Sequence, residues 1–125
     1  MIDAGLRQEL RKLIESFVVN MRAMTAEIEA AVEDGRQGAR PAAEVWDVLR
    51  AVAHRISGSG ASFGFVEIAA VARRIDLRAA GVLEGGAPAC ATPPWTDDEV
   101  LRDLPALRAL VDAAAATDSP LYPKA

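Results

Sequence analysis

Apolar residues recur at steps of three and four along four successive stretches of this chain, and no stretch shows the strict alternation of a half-buried strand. In residues 6–33 the series is Leu6, Leu10, Leu13, Phe17, Met21, Met24, Ile28 and Ala31, with Arg7, Arg11, Glu15, Arg22 and Glu29 on the remaining surface. That spacing lines one face of a long amphipathic helix. Asp34-Gly35 and Gly38 read as its end, and Pro41 as the opening of the next helix, in a first turn where its missing N–H costs nothing. The second stretch, 41–63, carries Val45, Val48, Leu49, Val52, Ile56 and Phe63, and a turn around Gly64 and Phe65 follows. The third, 66–83, carries Ile68, Val71, Ala72, Ile75, Ala79 and Val82.

The small residues and prolines of GGAPACATPP then read as a loop. Thr96 and Glu99 have the spacing of a capping box ahead of Val100, Leu101, Leu104, Leu107, Val111 and Ala114. Pro105 falls inside this last pattern and removes one helical hydrogen bond, so a kink or a break is expected there. Four amphipathic helices joined by short connections predict an all-α, antiparallel, up-down four-helix bundle. The expected organisation is one bundle domain over residues 1–117 and a flexible tail over 118–125.

Composition narrows the possible functions. A chain of 125 residues fits one domain with a single core. Only 5% of it is aromatic, while Ala, Leu and Val abound, which favours helix over strand. One cysteine, Cys90, excludes an intrachain disulfide and reads as an idle loop thiol. One histidine leaves no His pair for activating a thiol or for the usual zinc sites. A net charge of −4 argues against nucleic acid and anionic membranes as partners. Charges interrupt every apolar run, so no signal peptide or membrane span is expected, and the cytoplasm is the expected location. Trp46 and Trp95 are expected at the edge of the core. No phosphate-binding glycine loop of a nucleotide-dependent kinase is present.

The single histidine, His54, lies in the second helix. At about 100° per residue, Val48, Leu49, Val52, Ile56 and Phe63 all fall within ~60° of Val45 on the helical wheel, and His54 falls at ~180°. The imidazole therefore faces away from the buried stripe. Asp47 and Arg50 precede it on that outer face, and Ala51, Ser57, Gly58 and Ala61 complete a patch of small side chains. Gly58 stands one turn after His54, where a larger residue would cover the ring. A glycine inside a helix costs roughly 1 kcal/mol against alanine, and although Gly60 and Gly64 are explained as helix terminators, Gly58 is explained less well in that way. A neutral imidazole with a free ring nitrogen is a nucleophile near pH 7.

Residues 53–65, AHRISGSGASFGF, resemble the signature of the histidine phosphotransfer family, in which a histidine is followed by an aliphatic residue, a glycine, small residues and a hydrophobic–glycine pair. His54, Ile56, Gly58, Ser59, Gly60, Phe63 and Gly64 match it, and VARRID resembles the start of the family's next helix. One position departs: the family often carries lysine three residues after the histidine, and here it is Ser57. Arg50, Arg55 or an arginine of the next helix is then left to supply that charge, and Arg50, one turn away on the same face, is the first candidate.

The resemblance implies a phosphorelay carrier of two-component signal transduction. His54 would be the phosphoacceptor, taking a phosphoryl group from the aspartyl phosphate of a receiver domain and passing it to another. Arg50, Ala51, Arg55, Ser57, Gly58 and Ala61 would contact the partner. The partners implied are response-regulator receiver domains and a hybrid histidine kinase. Mg²⁺ would sit on the receiver, and this chain would need no cofactor or metal of its own. The expected state is a monomer, and the expected role is that of a phosphotransfer intermediate rather than an ATP-dependent kinase.

Three alternatives carry different weights. A docking module could bind a receiver or kinase without being phosphorylated, and Ser57 in place of lysine favours that reading. The dimerising histidine helix of a sensor kinase usually has an acidic residue directly after its histidine, where this chain has Arg55. A metal or haem site would find only Asp47 on the same face, two turns away, and Asp47 reads as a solvated charge. Arg73, Arg74 and Arg78 of the third helix, each read first as a solvated charge, could together form a positive rim for an acidic partner.

Overall fold

The computed structural model describes residues 3–85 and 92–124. Cys90 and most of the expected loop around it lie outside the described residues. The chain forms α1 (Ala4–Arg36), α2 (Ala42–Ser62), α3 (Val66–Glu84) and α4 (Asp98–Ala113), with short 3-10 turns at Pro94–Thr96 and Ala116–Asp118. Among the described residues there is no strand, and no helix is long and apolar enough to cross a membrane.

The stops of α1 and α2 follow from two glycines. Gly38 and Gly64 have φ of 82° and 81°, a left-handed conformation that glycine adopts without a Cβ penalty. After each, the chain closes the same paired hydrogen bonds. Gly38 N–H and Ala39 N–H donate back to the Gly35 and Asp34 carbonyls, and Gly64 N–H and Phe65 N–H to those of Ala61 and Gly60. This is the Schellman arrangement, which satisfies carbonyls a helix end leaves free. Gly35 and Gly60, expected as terminators, are instead helical and buried. A Cβ on Gly35 would lie 2.4 Å from the Trp95 ring, so that glycine admits an aromatic side chain. Pro41 sits one residue ahead of its expected place, as the N-cap of α2.

Ion pairs between neighbouring helices display the antiparallel order. Arg55 meets Glu27 across α2 and α1, Arg74 meets Asp103 and Arg78 meets Asp97 across α3 and α4, and Arg108 meets Glu29 across α4 and α1. Across α3 and α4 one partner advances as the other retreats, and the same holds for α1 and α2 with Gly35 beside Val45 and for α1 and α4 with Arg22 on the Ala114 carbonyl. The most extensive contact is between α2 and α3, and α4 packs back on α1 to complete the ring. The core between them includes Ile14, Met21, Ile28, Trp46, Leu49, Ile56, Ile75, Leu107 and Val111.

Four expectations change at the core, one of them at Leu101, expected on the buried stripe of the last helix and more than half exposed. Trp46 is fully buried rather than at the edge, because its indole N–H reaches the Thr92 carbonyl at 3.1 Å and leaves no polar group unpaired. Leu6 and Leu13 are exposed. Arg22 of α1 already touches the Ala114 carbonyl at the end of α4, so the first turns of α1 project past the neighbouring helices. The α2–α3 turn and the C-terminal segment reach that part, where Phe17 packs on Phe63 and Phe65 and where Tyr122 and Pro123 meet Glu15 and Arg11.

Two further differences concern α4. Its N-cap is Asp97, whose carboxylate accepts from Glu99 N–H and Val100 N–H, while Thr96 belongs to the preceding 3-10 turn. It runs through Pro105 as one helix rather than breaking into two. The residues expected to form a flexible tail contact the bundle: Ser119 Oγ donates to the Phe63 carbonyl, Tyr122 OH to Glu15, and Arg11 to the Pro123 carbonyl.

Asp103 is the most buried carboxylate of the fold, at 2% exposure. Burial alone would raise its pKa, but hydrogen bonds from Arg102 and Arg74 outweigh that and hold the carboxyl below its usual range. A depressed folded-state pKa contributes stability above the unfolded carboxylate value of 3.8, and this is lost as the pH falls through the folded value. Asp103→Asn is therefore expected to destabilise the bundle by about 1–2 kcal/mol at pH 7. It should also flatten the loss of stability below pH 3.8 in urea melts followed by circular dichroism.

Candidate functional site

α2 turns its apolar stripe inward and its opposite face to solvent, which settles where His54 points. The imidazole side chain is 77% exposed. Its Nδ1 lies 2.9 Å from Oδ2 of Asp76, a side chain of α3 that is itself only 16% exposed. A carboxylate can only accept, so this contact assigns the proton of a neutral ring to Nδ1 and leaves the Nε2 lone pair free. Nε2 has no protein partner among the described residues.

A shallow groove runs beside the ring between α2 and α3, lined by Asp47, Arg50, Ala51, His54, Asp76, Leu77 and Ala80. Leu77 is a large apolar side chain more than half exposed at its rim. Arg50, Ala51, Arg55, Gly58 and Ala61 are all exposed, and Ser57 is half-buried. Arg50 forms no ion pair among the described residues, whereas Arg55 reaches Glu27 of α1 at 3.8 Å. The patch read from the wheel is therefore one continuous surface, with Arg55 turned toward α1.

Gly58 and Gly60 serve different ends. A Cβ on Gly60 would lie 3.5 Å from Ala69 of α3, an ordinary van der Waals contact, so α2 and α3 approach closely there with room for a methyl group. A Cβ on Gly58 would meet nothing within 4 Å. Gly58 lies inside α2 and, among the described residues, is required neither by a turn nor by packing.

The third-helix arginines separate. Arg74 and Arg78 face α4, where they hold Asp103 and Asp97, and a hydrogen bond to Asp97 raises the pKa of Arg78. Neither contributes to a rim around His54. Arg73 is exposed and forms no ion pair among the described residues.

Asp76 is the site residue that the sequence reading missed. Its place at helical spacing from Ala72, Ala79 and Ala80 marked the α3 face, but which neighbour that face meets depends on the packing of two helices.

The histidine is thus presented to solvent, anchored through Nδ1 by a carboxylate and bordered by small residues, on an open helical face rather than in an enclosed cavity. The Hpt domain family profile matches residues 12–117, and the chain belongs to that family. Membership implies histidine phosphotransfer in two-component phosphorelays, in which Hpt domains interact with receiver domains and kinases. No curated protein and no solved structure matches the chain significantly.

With open space above it, Gly58→Ala is expected to stabilise the helix by about 0.5–1 kcal/mol, seen as a higher melting temperature. Gly35→Ala would drive a methyl group into Trp95 and should lower it.

Proposed function

We propose that His54 is the phosphoacceptor of this domain, taking a phosphoryl group from a receiver aspartyl phosphate and handing it to a second receiver. The observation that carries this reading is the exposed ring whose Nδ1 is committed to Asp76. The Nε2 lone pair attacks phosphorus in line as the bond from phosphorus to the aspartyl oxygen breaks, and the aspartate leaves as a carboxylate. The ring keeps its Nδ1 proton and becomes cationic, and the Asp76 carboxylate stabilises that charge. Return transfer reverses the same bonds.

Arg50, Ala51, Arg55, Ser57, Gly58 and Ala61 are the proposed receiver-facing residues, with Leu77 as an apolar contact from α3. Mg²⁺ belongs to the receiver, whose acidic pocket binds it. The partners of this reading are response-regulator receivers and a hybrid histidine kinase.

Ser57, a neutral residue beside the ring, supports a second reading, in which the domain docks on a receiver or kinase and regulates it without being phosphorylated. One experiment separates the two. Incubation with a phosphorylated receiver should place acid-labile phosphate on the wild-type chain and none on His54→Gln, with helicity and melting temperature nearly unchanged. A wild-type chain that binds receivers yet takes no label supports the docking reading. Gly58→Leu should slow transfer by obstructing approach, and unchanged kinetics would remove Gly58 from the surface.

Asp76 is a positioning residue in this mechanism. Asp76→Ala should slow labelling roughly tenfold by releasing the ring and its tautomer. Asp76→Asn keeps an acceptor for Nδ1–H without the charge and should fall between. Imidazole nitrogen NMR shifts, which report the tautomer, should move in Asp76→Ala. Unmoved shifts would remove Asp76 from this role.

A further inference from the structure

A phosphoryl group arriving at Nε2 brings negative charge to a site that already holds Asp76 against the ring and Asp47 in the adjoining groove. Like charges at such distances oppose the transfer unless a cation stands by. The arginines of the bundle are mostly committed elsewhere. Arg36, Arg40, Arg55, Arg74, Arg78, Arg102 and Arg108 are held in ion pairs. Arg50 of α2 and Arg73 of α3 are exposed and form none among the described residues.

The register of the two helices locates Arg73. His54 faces Asp76, and Gly60 faces Ala69, so α2 and α3 run antiparallel in fixed alignment. Three residues on from His54 is Ser57, and three residues back from Asp76 is Arg73. The two stand at the same level, one turn beyond the ring. On the α3 wheel Arg73 lies ~60° from Asp76 and ~40° from Leu77, between a residue that holds the imidazole and one that lines its groove. Across from it are Ser57, half-buried, and Gly58, above which a Cβ would find open space. Nothing bulky on α2 blocks a long side chain from crossing toward Nε2.

We infer that Arg73 is a phosphoryl-binding residue, closing over the group at Nε2 from the side of α3 while Arg50 flanks it one turn earlier on α2. This rests on the proposal that His54 accepts phosphate. A guanidinium presents paired N–H donors that match phosphoryl oxygens, and Arg73 needs no carboxylate displaced before it can act.

Potassium phosphoramidate tests both levels separately. In this reaction the Nε2–P bond forms as the P–N bond of the reagent breaks and ammonia departs, so no receiver is required. Labelling of the full chain is followed by phosphate-affinity electrophoresis and phosphorus NMR, with His54→Gln as the blank. Arg73→Ala should slow labelling about fivefold and Arg73→Glu further, while Arg73→Lys keeps most of the rate. The ratio of wild type to Arg73→Ala should shrink as salt is raised, which a purely structural defect would not do. Because the residue is exposed, melting temperatures should stay level across the series. If the wild type labels and all three variants label at its rate, the assignment of Arg73 is overturned. If the wild type takes no label at His54, the acceptor proposal itself fails.

Discussion

The packing of α2 on α3 is the constraint on which the site depends. Ala53, Gly60, Ala69, Ala72 and Ala79 are buried small residues of these two helices, and Gly60 meets Ala69 where anything bulkier than a methyl group would hold the backbones apart. Only that close approach brings a carboxylate of α3 to 2.9 Å from an imidazole of α2. A separation wider by one methyl group would lengthen this contact beyond a hydrogen bond and free the ring to rotate. The orientation of His54 is therefore a product of core packing although the ring itself stands in solvent.

The fold was largely legible because each helix repeats its own instruction. Periodicity located all four helices to within a few residues, and Gly38 and Gly64 marked the turns where a left-handed residue is needed. The outward direction of His54 followed from the wheel of a single helix, since Val45, Leu49, Val52 and Ile56 must point the other way. What failed to show was everything that depends on two elements at once. Asp76 becomes a partner of His54 only after α3 is laid against α2. Arg74 and Arg78 look like free surface charges until α4 supplies Asp103 and Asp97. Trp46 reads as a core-edge residue in the sequence, and the acceptor that lets it reach the centre, the Thr92 carbonyl, is 46 residues away. Leu6 and Leu13 fit the stripe of α1 perfectly well, but the stripe says nothing of where neighbouring helices end.

The charges divide into two sets with different work. Asp97 and Asp103, both buried, are satisfied by Arg78 and Arg74 of α3 together with the α4 backbone for Asp97 and Arg102 for Asp103, and they link α4 to α3. Around His54, Asp47, Arg50 and Arg73 form no ion pair among the described residues, while Asp76 holds the ring and Arg55 reaches Glu27. Buried pairing gives α4 a single register, whereas unpaired surface charge leaves the site able to respond to whatever approaches it.

Because His54, Asp76 and the groove beside them all belong to the α2–α3 hairpin, the residues proposed to carry the chemistry form a cassette of about forty residues inside the bundle. α1 and α4 touch that cassette from behind and contribute no side chain to the groove. Natural variation in those two helices is thus restrained by packing and by the carboxylates that meet Arg55, Arg74 and Arg78, and a paralogue that kept these could vary the rest of them while keeping the same reactive surface. In such a lineage the hairpin would record the shared chemistry, and the outer helices would record divergence.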